Sequence, residues 1–248
     1  MALREDFERS GNWLFRWRSF LPLLILPALL IALRESEYLN RAIGHLAEFF
    51  WEIFCVAVSF TGLYIRCLVA GYVPRRTSGR NTTEQKAETL NMTGMYSVVR
   101  HPLYLGNFLI FLGIAMFIQV IWFVVFAISA FWLYYERIMF AEEEFLRKKF
   151  GDLYLRWAEE TPAFIPRLRQ WRQPALSFSF KIVLKREYTA FFVMIASFTL
   201  LDIVADLLTE GKFEIDLAWR ISFVLSLAAY VVIRTLKTRT RVLHVEGR

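Results

Sequence analysis

The chain has 248 residues, 56% of them hydrophobic and 17% aromatic, and a formal net charge of +7. So apolar a composition excludes an ordinary soluble domain, and its apolar residues fall in long runs that point to membrane spans. The 30 Lys and Arg flank those runs rather than cover a polar domain, so anionic lipid head groups, not nucleic acid, are the expected partner.

Six spans are expected in chain order. The first, Phe20 to Leu33, is short and carries Pro22 and Pro27, so a kink is expected within it. The second, Leu46 to Val69, contains both cysteines, Cys55 and Cys67, several turns apart on one helix and so unable to pair. The third and fourth, Leu103 to Phe117 and Val120 to Tyr135, are joined so tightly that they read as a helical hairpin. The fifth and sixth run from Tyr188 to Leu208 and from Leu217 to Ile233. Asp202 and Asp206, four apart on the fifth, lie toward its outer end.

Lys and Arg set the orientation. They cluster before span one, after span two, between spans four and five, and at the end of the chain, while the turn between spans three and four has none. Both termini and the polar segments 71–101 and 140–187 are therefore expected on the cytoplasmic side. The expected fold is all-α and polytopic, about six transmembrane helices with a cofactor pocket at the cytoplasmic face. It divides into residues 1–70, an arm and two spans; 71–166, a core with the hairpin; and 167–248, a basic interfacial segment and the last two spans.

Two polar stretches carry the chemistry. In "GMYSVVRHPLYLGNF", residues 94–108, Pro102 suits the first position of a helix, where its missing N–H is no loss. His101 then stands at a helix N-terminus, beside open N–H groups that favour an anion, with Tyr104 and Asn107 on the following turns. The blander reading is an interfacial Arg-His-Pro that anchors a helix end. In the second stretch, span four continues without a breaker through Glu136, Glu142, Glu143 and Glu144. Glu143 and Arg147 are four apart and able to pair, Gly151 looks like a helix stop, and Tyr154 and Trp157 follow before Pro162 and Pro166. Alone, this acidic run reads equally as a solvated helix leaving the membrane.

Together the stretches resemble the isoprenylcysteine carboxyl methyltransferase and phospholipid methyltransferase superfamily of integral membrane enzymes. The resemblance rests on Gly94, Tyr96, Arg100, His101, Pro102, Tyr104, Gly106 and Asn107, then on Glu142, Glu143, Leu146, Phe150, Gly151, Tyr154 and Trp157, and finally on Pro162 and Pro166. Upstream, Gly79, Asn81, Gln85 and Leu90 also fit, so it spans roughly 75–166. It implies S-adenosylmethionine as methyl donor and no metal. The cofactor's binding residues would be Gln85, Gly94, Tyr96, His101, Pro102, Tyr104, Asn107, Glu142, Glu143 and Tyr154. Of these, the helix end at His101 and Pro102 would take its carboxylate, Glu142 and Glu143 its ammonium or ribose hydroxyls, and Tyr104 and Tyr154 its sulfonium.

The expected acceptor is a membrane lipid in a bacterial inner membrane, with Arg100 or Arg156 holding it, and a phosphate of lipid A or a similar glycolipid is the favoured group. No second histidine stands near to deprotonate an amine, and Glu160 stands where prenylcysteine enzymes carry an arginine. The basic run from Arg167 to Arg186 would suit a polyanionic head group, or would form an interfacial helix held by its charge. The alternatives are carboxyl methylation of an isoprenylated cysteine, N-methylation of phosphatidylethanolamine, and a non-enzymatic scaffold or transporter.

Overall fold

A computed structural model describes residues 2–18, 20–35, 45–72, 88–209, 211, 213 and 215–245. Among them, regular structure is helical, apart from one isolated backbone bridge between Gly94 and Arg172. The helices are α1 (Leu3–Trp17), α2 (Leu26–Glu35), α3 (His45–Tyr72), α4 (Met95–Val98), α5 (Pro102–Phe117), α6 (Ile121–Phe150), α7 (Asp152–Glu160), α8 (Phe180–Thr209) and α9 (Leu217–Arg239). Two short 3-10 turns, Leu21–Ile25 and Leu168–Gln170, complete the regular structure of these residues.

Four of these helices, α3, α6, α8 and α9, are long and apolar enough to cross a membrane. This is an all-α polytopic membrane fold, but two of the six expected spans are shorter than a full crossing. Helix α5 has 16 residues, about 24 Å at 1.5 Å each, against a hydrocarbon core of about 30 Å. The first expected span is divided: a 3-10 turn that includes Pro22 precedes a ten-residue α2 that has Pro27 in its first turn, where proline is tolerated. The basic run after Arg167 is not the interfacial helix expected as one reading. Only the turn at Leu168–Gln170 is regular before α8 begins at Phe180.

Close approach of α3 and α5 sets the centre of the bundle. Their facing residues are small, so the backbones nearly touch, as van der Waals packing between membrane helices favours. A Cβ at Gly113 would fall 2.4 Å from the Cys55 carbonyl oxygen, and one at Gly106 would fall 2.8 Å from that of Gly62. Buried Ser59 donates across the same seam to the Ile110 carbonyl at 3.0 Å. Beside it, Phe198 of α8 stacks on Trp219 of α9 at 5.5 Å, and both rings meet Phe117 edge-on. The hairpin turn between α5 and α6 closes through Gln119 at φ 63°. Neither cysteine is in a disulfide, and Cys55 is buried.

Helix α1 lies along the second half of α6. Gly11 allows the contact, since a Cβ there would come within 2.1 Å of the Arg137 carbonyl oxygen. Arg4 donates to both oxygens of Glu144, Lys148 pairs with Glu8 at 2.6 Å, and Phe7 meets Phe140 edge-on. Trp13 and Trp17 remain exposed on the other side of α1.

Candidate active site

The two chemical stretches are joined by backbone hydrogen bonds. Residues 99–101 leave the helix between α4 and α5, because proline at 102 disfavours helix before it. The chain after α7 returns alongside: Arg100 N–H donates to Pro162 O at 2.8 Å, His101 N–H to Ala163 O at 3.3 Å, and Arg167 N–H to Val98 O at 3.0 Å. The indole N–H of Trp157 donates to Tyr96 O at 3.2 Å. Gly94 makes the turn before α4 at φ 60°, where its N–H donates to Arg172 O at 2.9 Å.

This frame brings the N-terminus of α5 against the emerging end of α6. Pro102 opens α5 as expected, and no side chain caps that helix end. His101 is buried, and its Nε2 lies 2.9 Å from Glu143 Oε1. A carboxylate accepts only, so Nε2 carries the proton in that bond. Nδ1 of the same ring lies 3.8 Å from Glu142 Oε2, and Arg100 Nε lies 3.3 Å from Glu143 Oε1. Glu143 therefore turns to Arg100 and His101 rather than to Arg147, the partner its spacing suggested. The Tyr104 ring stacks on His101 at 5.6 Å, and its hydroxyl lies toward Glu142.

Tyr154 on α7 closes one side. The residue is 3% exposed, and its hydroxyl is turned toward Glu143 without closing a hydrogen bond of normal geometry. Burial first, then the Glu143 charge, holds this phenol above its ordinary range. A buried hydroxyl in that position is costly unless a further group completes it.

Arg100, His101, Pro102, Tyr104, Glu142, Glu143 and Tyr154 are thus assembled in one place. Asn107 lies deeper along α5, accepting from Arg66 of α3 and donating to the Tyr135 hydroxyl at 3.4 Å. Tyr96 packs in the core beneath Tyr154 and Trp157. Gly94 serves the turn against Arg172. Arg156 is exposed on α7, while Tyr154 and Trp157 of that helix face inward, so it is not brought to the cluster. Gln85, like Gly79 and Asn81, lies outside the described residues.

Sequence reasoning missed four participants. Glu144 is 7% exposed in its side chain and held by Arg4, which separates it from its neighbours Glu142 and Glu143. Arg66, Glu187 and Tyr135 form a polar group beneath the site, with Arg66 Nε 2.8 Å from Glu187 Oε2. Arg66 was detectable as a lone cation inside an apolar run. Tyr135 gave no signal, since a tyrosine at a span end is ordinary.

Comparison with known proteins finds likeness over part of the chain. Residues 75–153 match the family model of phospholipid methyltransferases. The chain is 37% identical over 95 residues to the nickel-cobalt-cadmium resistance protein NccN of Alcaligenes xylosoxydans xylosoxydans, a match covering 38% of this chain and 42% of that protein. It is 36% identical over 88 residues to the cobalt-zinc-cadmium resistance protein CzcN of Cupriavidus metallidurans, covering 36% and 40%. These matches span about two fifths of the length of either relative. No solved structure matches. The family match supports a membrane methyltransferase.

Proposed function

We propose that this chain, whose residues 75–153 carry the phospholipid methyltransferase match, transfers a methyl group from S-adenosylmethionine to an anionic group of a membrane lipid. A phosphate of lipid A or a similar glycolipid is the favoured acceptor. The observation that carries the reading is the convergence of an uncapped helix end, two adjacent carboxylates and an uncompleted buried phenol at one point beside the membrane spans.

The donor set fits the cofactor group by group. The α5 end offers open N–H groups to a carboxylate. Glu142, 13% exposed in its side chain, offers acceptor oxygens to an ammonium or a ribose diol. Tyr154 needs a hydrogen-bond partner, and the stacked His101 and Tyr104 rings present an aromatic surface to a cation. When bound, S-adenosylmethionine supplies an electrophilic methyl: an acceptor lone pair forms the new bond as the carbon–sulfur bond breaks and its electron pair returns to sulfur. The residues' task is then alignment and exclusion of water rather than acid–base work. An ionised oxygen acceptor needs no proton removed, which suits a site whose only histidine is engaged with Glu143.

Glu160, in the place of the prenylcysteine arginine, is paired with Arg172 at 2.9 Å on the surface. That supports a lipid acceptor over a prenylcysteine carboxylate. The relatives' names fit as well, since a methylated phosphate carries less negative charge near neutral pH and would gather fewer divalent cations at the membrane. Calorimetry with S-adenosylmethionine tests the first half of the reading. Transfer of labelled methyl to phosphorylated glycolipid, phosphatidylethanolamine and farnesylcysteine tests the second, and label on farnesylcysteine alone would overturn the lipid acceptor.

A further inference from the structure

Beneath the cofactor cluster, a chain of hydrogen bonds runs from α8 through α3 and α5 to α6. Glu187, 3% exposed in its side chain, accepts from Arg66 Nε at 2.8 Å and forms an ion pair with the same guanidinium. Arg66 NH1 donates in turn to Asn107 Oδ1. Asn107 Nδ2 donates to the Tyr135 hydroxyl at 3.4 Å. Tyr135 packs against Tyr104 at 5.0 Å, and Tyr104 stacks on His101.

The direction of this chain is forced. Arginine has no acceptor, so the Asn107 atom facing it must be the carbonyl oxygen, whichever way the amide is drawn. The amide nitrogen must then face Tyr135 and donate. A donor faces the phenol on that side, so the hydroxyl's own hydrogen points away from Asn107. The hydroxyl lies against Asn107 where α5 and α6 meet, and its ring packs beside that of Tyr104. Arg66 and Glu187 both lie outside residues 75–153, so this polarity is set by parts of the chain that the family match does not cover.

We propose that Tyr135 is a specificity-determining residue that donates a hydrogen bond to an oxyanion of the methyl acceptor, with Asn107 and Arg66 as positioning residues that hold it in the donor state. The inference rests on the methyltransferase reading and sharpens its substrate. A phosphate or carboxylate has one oxygen to attack and another to accept the Tyr135 hydrogen, so the bond aligns it without blocking it. A neutral amine has a single lone pair, which a donor at that place would occupy. The site therefore favours oxyanion acceptors over the amine of phosphatidylethanolamine. Tyr135 transfers no proton; it gives a hydrogen bond only.

The test measures cofactor affinity, thermal midpoint and labelled-methyl transfer for the full chain in detergent, with phosphorylated glycolipid or phosphatidylethanolamine as acceptor. Tyr135→Phe is expected to lower transfer to the glycolipid roughly tenfold to a hundredfold, the worth of one hydrogen bond to a charged group, with cofactor affinity unchanged. Asn107→Asp reverses the polarity: the carboxylate accepts from both Arg66 and Tyr135, turning the phenol hydrogen away from the acceptor. It is expected to keep the thermal midpoint, since it adds a charge pair with Arg66, yet to lose transfer as Tyr135→Phe does. The double variant is expected to be no worse than either single one, because both remove the same bond. Wild-type transfer by Tyr135→Phe, or wild-type preference for phosphatidylethanolamine, would overturn the inference and leave a methyltransferase standing. A wild type that binds no S-adenosylmethionine, or binds it and labels no lipid, would overturn both.

Discussion

Glu143 is the most heavily engaged side chain of the site, and that separates it from Glu142. It meets His101 at 2.9 Å and Arg100 at 3.3 Å, whereas the ion-pair contact of Glu142 is a 3.8 Å approach to the same histidine. The two are adjacent on α6 and so point about 100° apart. Glu142 is therefore the better ligand for the cofactor's ammonium, and Glu143 the residue that fixes the ring of His101. Glu142→Gln is expected to cost about 1.5–3 kcal/mol of cofactor binding, roughly one to two decades in affinity by calorimetry. Glu143→Gln removes the charge facing Arg100 and should show first as a lowered thermal midpoint. Small, equal effects of both would return them to a solvated helix surface, where such pairs contribute well under about 1 kcal/mol. His101→Ala is expected to weaken cofactor binding too, chiefly by releasing Glu143 and unstacking Tyr104.

Among the elements, the seam of α3 and α5 and the docking of α1 hold the site in place. Gly113→Ala puts a methyl 2.3 Å from Ser59 Oγ and 2.4 Å from a backbone carbonyl of α3, so the helices must part. Overpacking of that kind costs about 1–3 kcal/mol, readable as a lower thermal midpoint in detergent. Arg4→Glu should set α1 loose, because it places a second carboxylate against Glu144, and limited proteolysis would then cut the arm. Pairing it with Glu144→Arg should restore protection. The sequence shows the helix ends at the site better than it shows the arm. Pro102 and Gly151 are legible because each restricts or frees the backbone on its own, and the structure starts α5 and stops α6 there. The pairing of Glu143 was misjudged because helix spacing offers Arg147, while Arg100 arrives only once residues 160–167 fold back beside the α5 entrance. The arm was not legible because its ion pairs reach partners 140 residues away, and local pattern says nothing of contacts that distant. The first expected span, read as short and kinked at its prolines, is a 3-10 turn that includes Pro22 followed by a ten-residue helix, because each proline restricts the backbone locally.

At the scale of the whole molecule, the helix directions sort the charges by end. The site end gathers α1, the C-termini of α3, α6 and α9, and the N-termini of α5 and α8. Basic residues crowd there, among them Arg4, Arg9, Arg100, Arg147, Lys148, Lys149, Lys181, Lys185, Lys237 and Arg239. The opposite end gathers the α5–α6 turn, the C-terminus of α2 and the start of α9, and among the described residues it carries Glu35, Glu48 and Asp216 with only Arg34 and Arg220 for cations. Such a division follows the rule that Lys and Arg near span ends stay on the cytoplasmic side, so the site is expected to face the cytoplasm. Two exposed positions check it with a membrane-impermeant thiol reagent. Phe213 is 70% exposed between α8 and α9, and Arg156 is exposed on α7. The native thiols stay quiet because Cys55 is buried and Cys67 lies within a span, where a water-soluble reagent reaches neither. On sealed cells, Phe213→Cys should be labelled and Arg156→Cys should not be until the membrane is opened. Labelling in the reverse order would put the site on the outer face, where the cell supplies no S-adenosylmethionine, and the proposed reaction would lose its methyl donor.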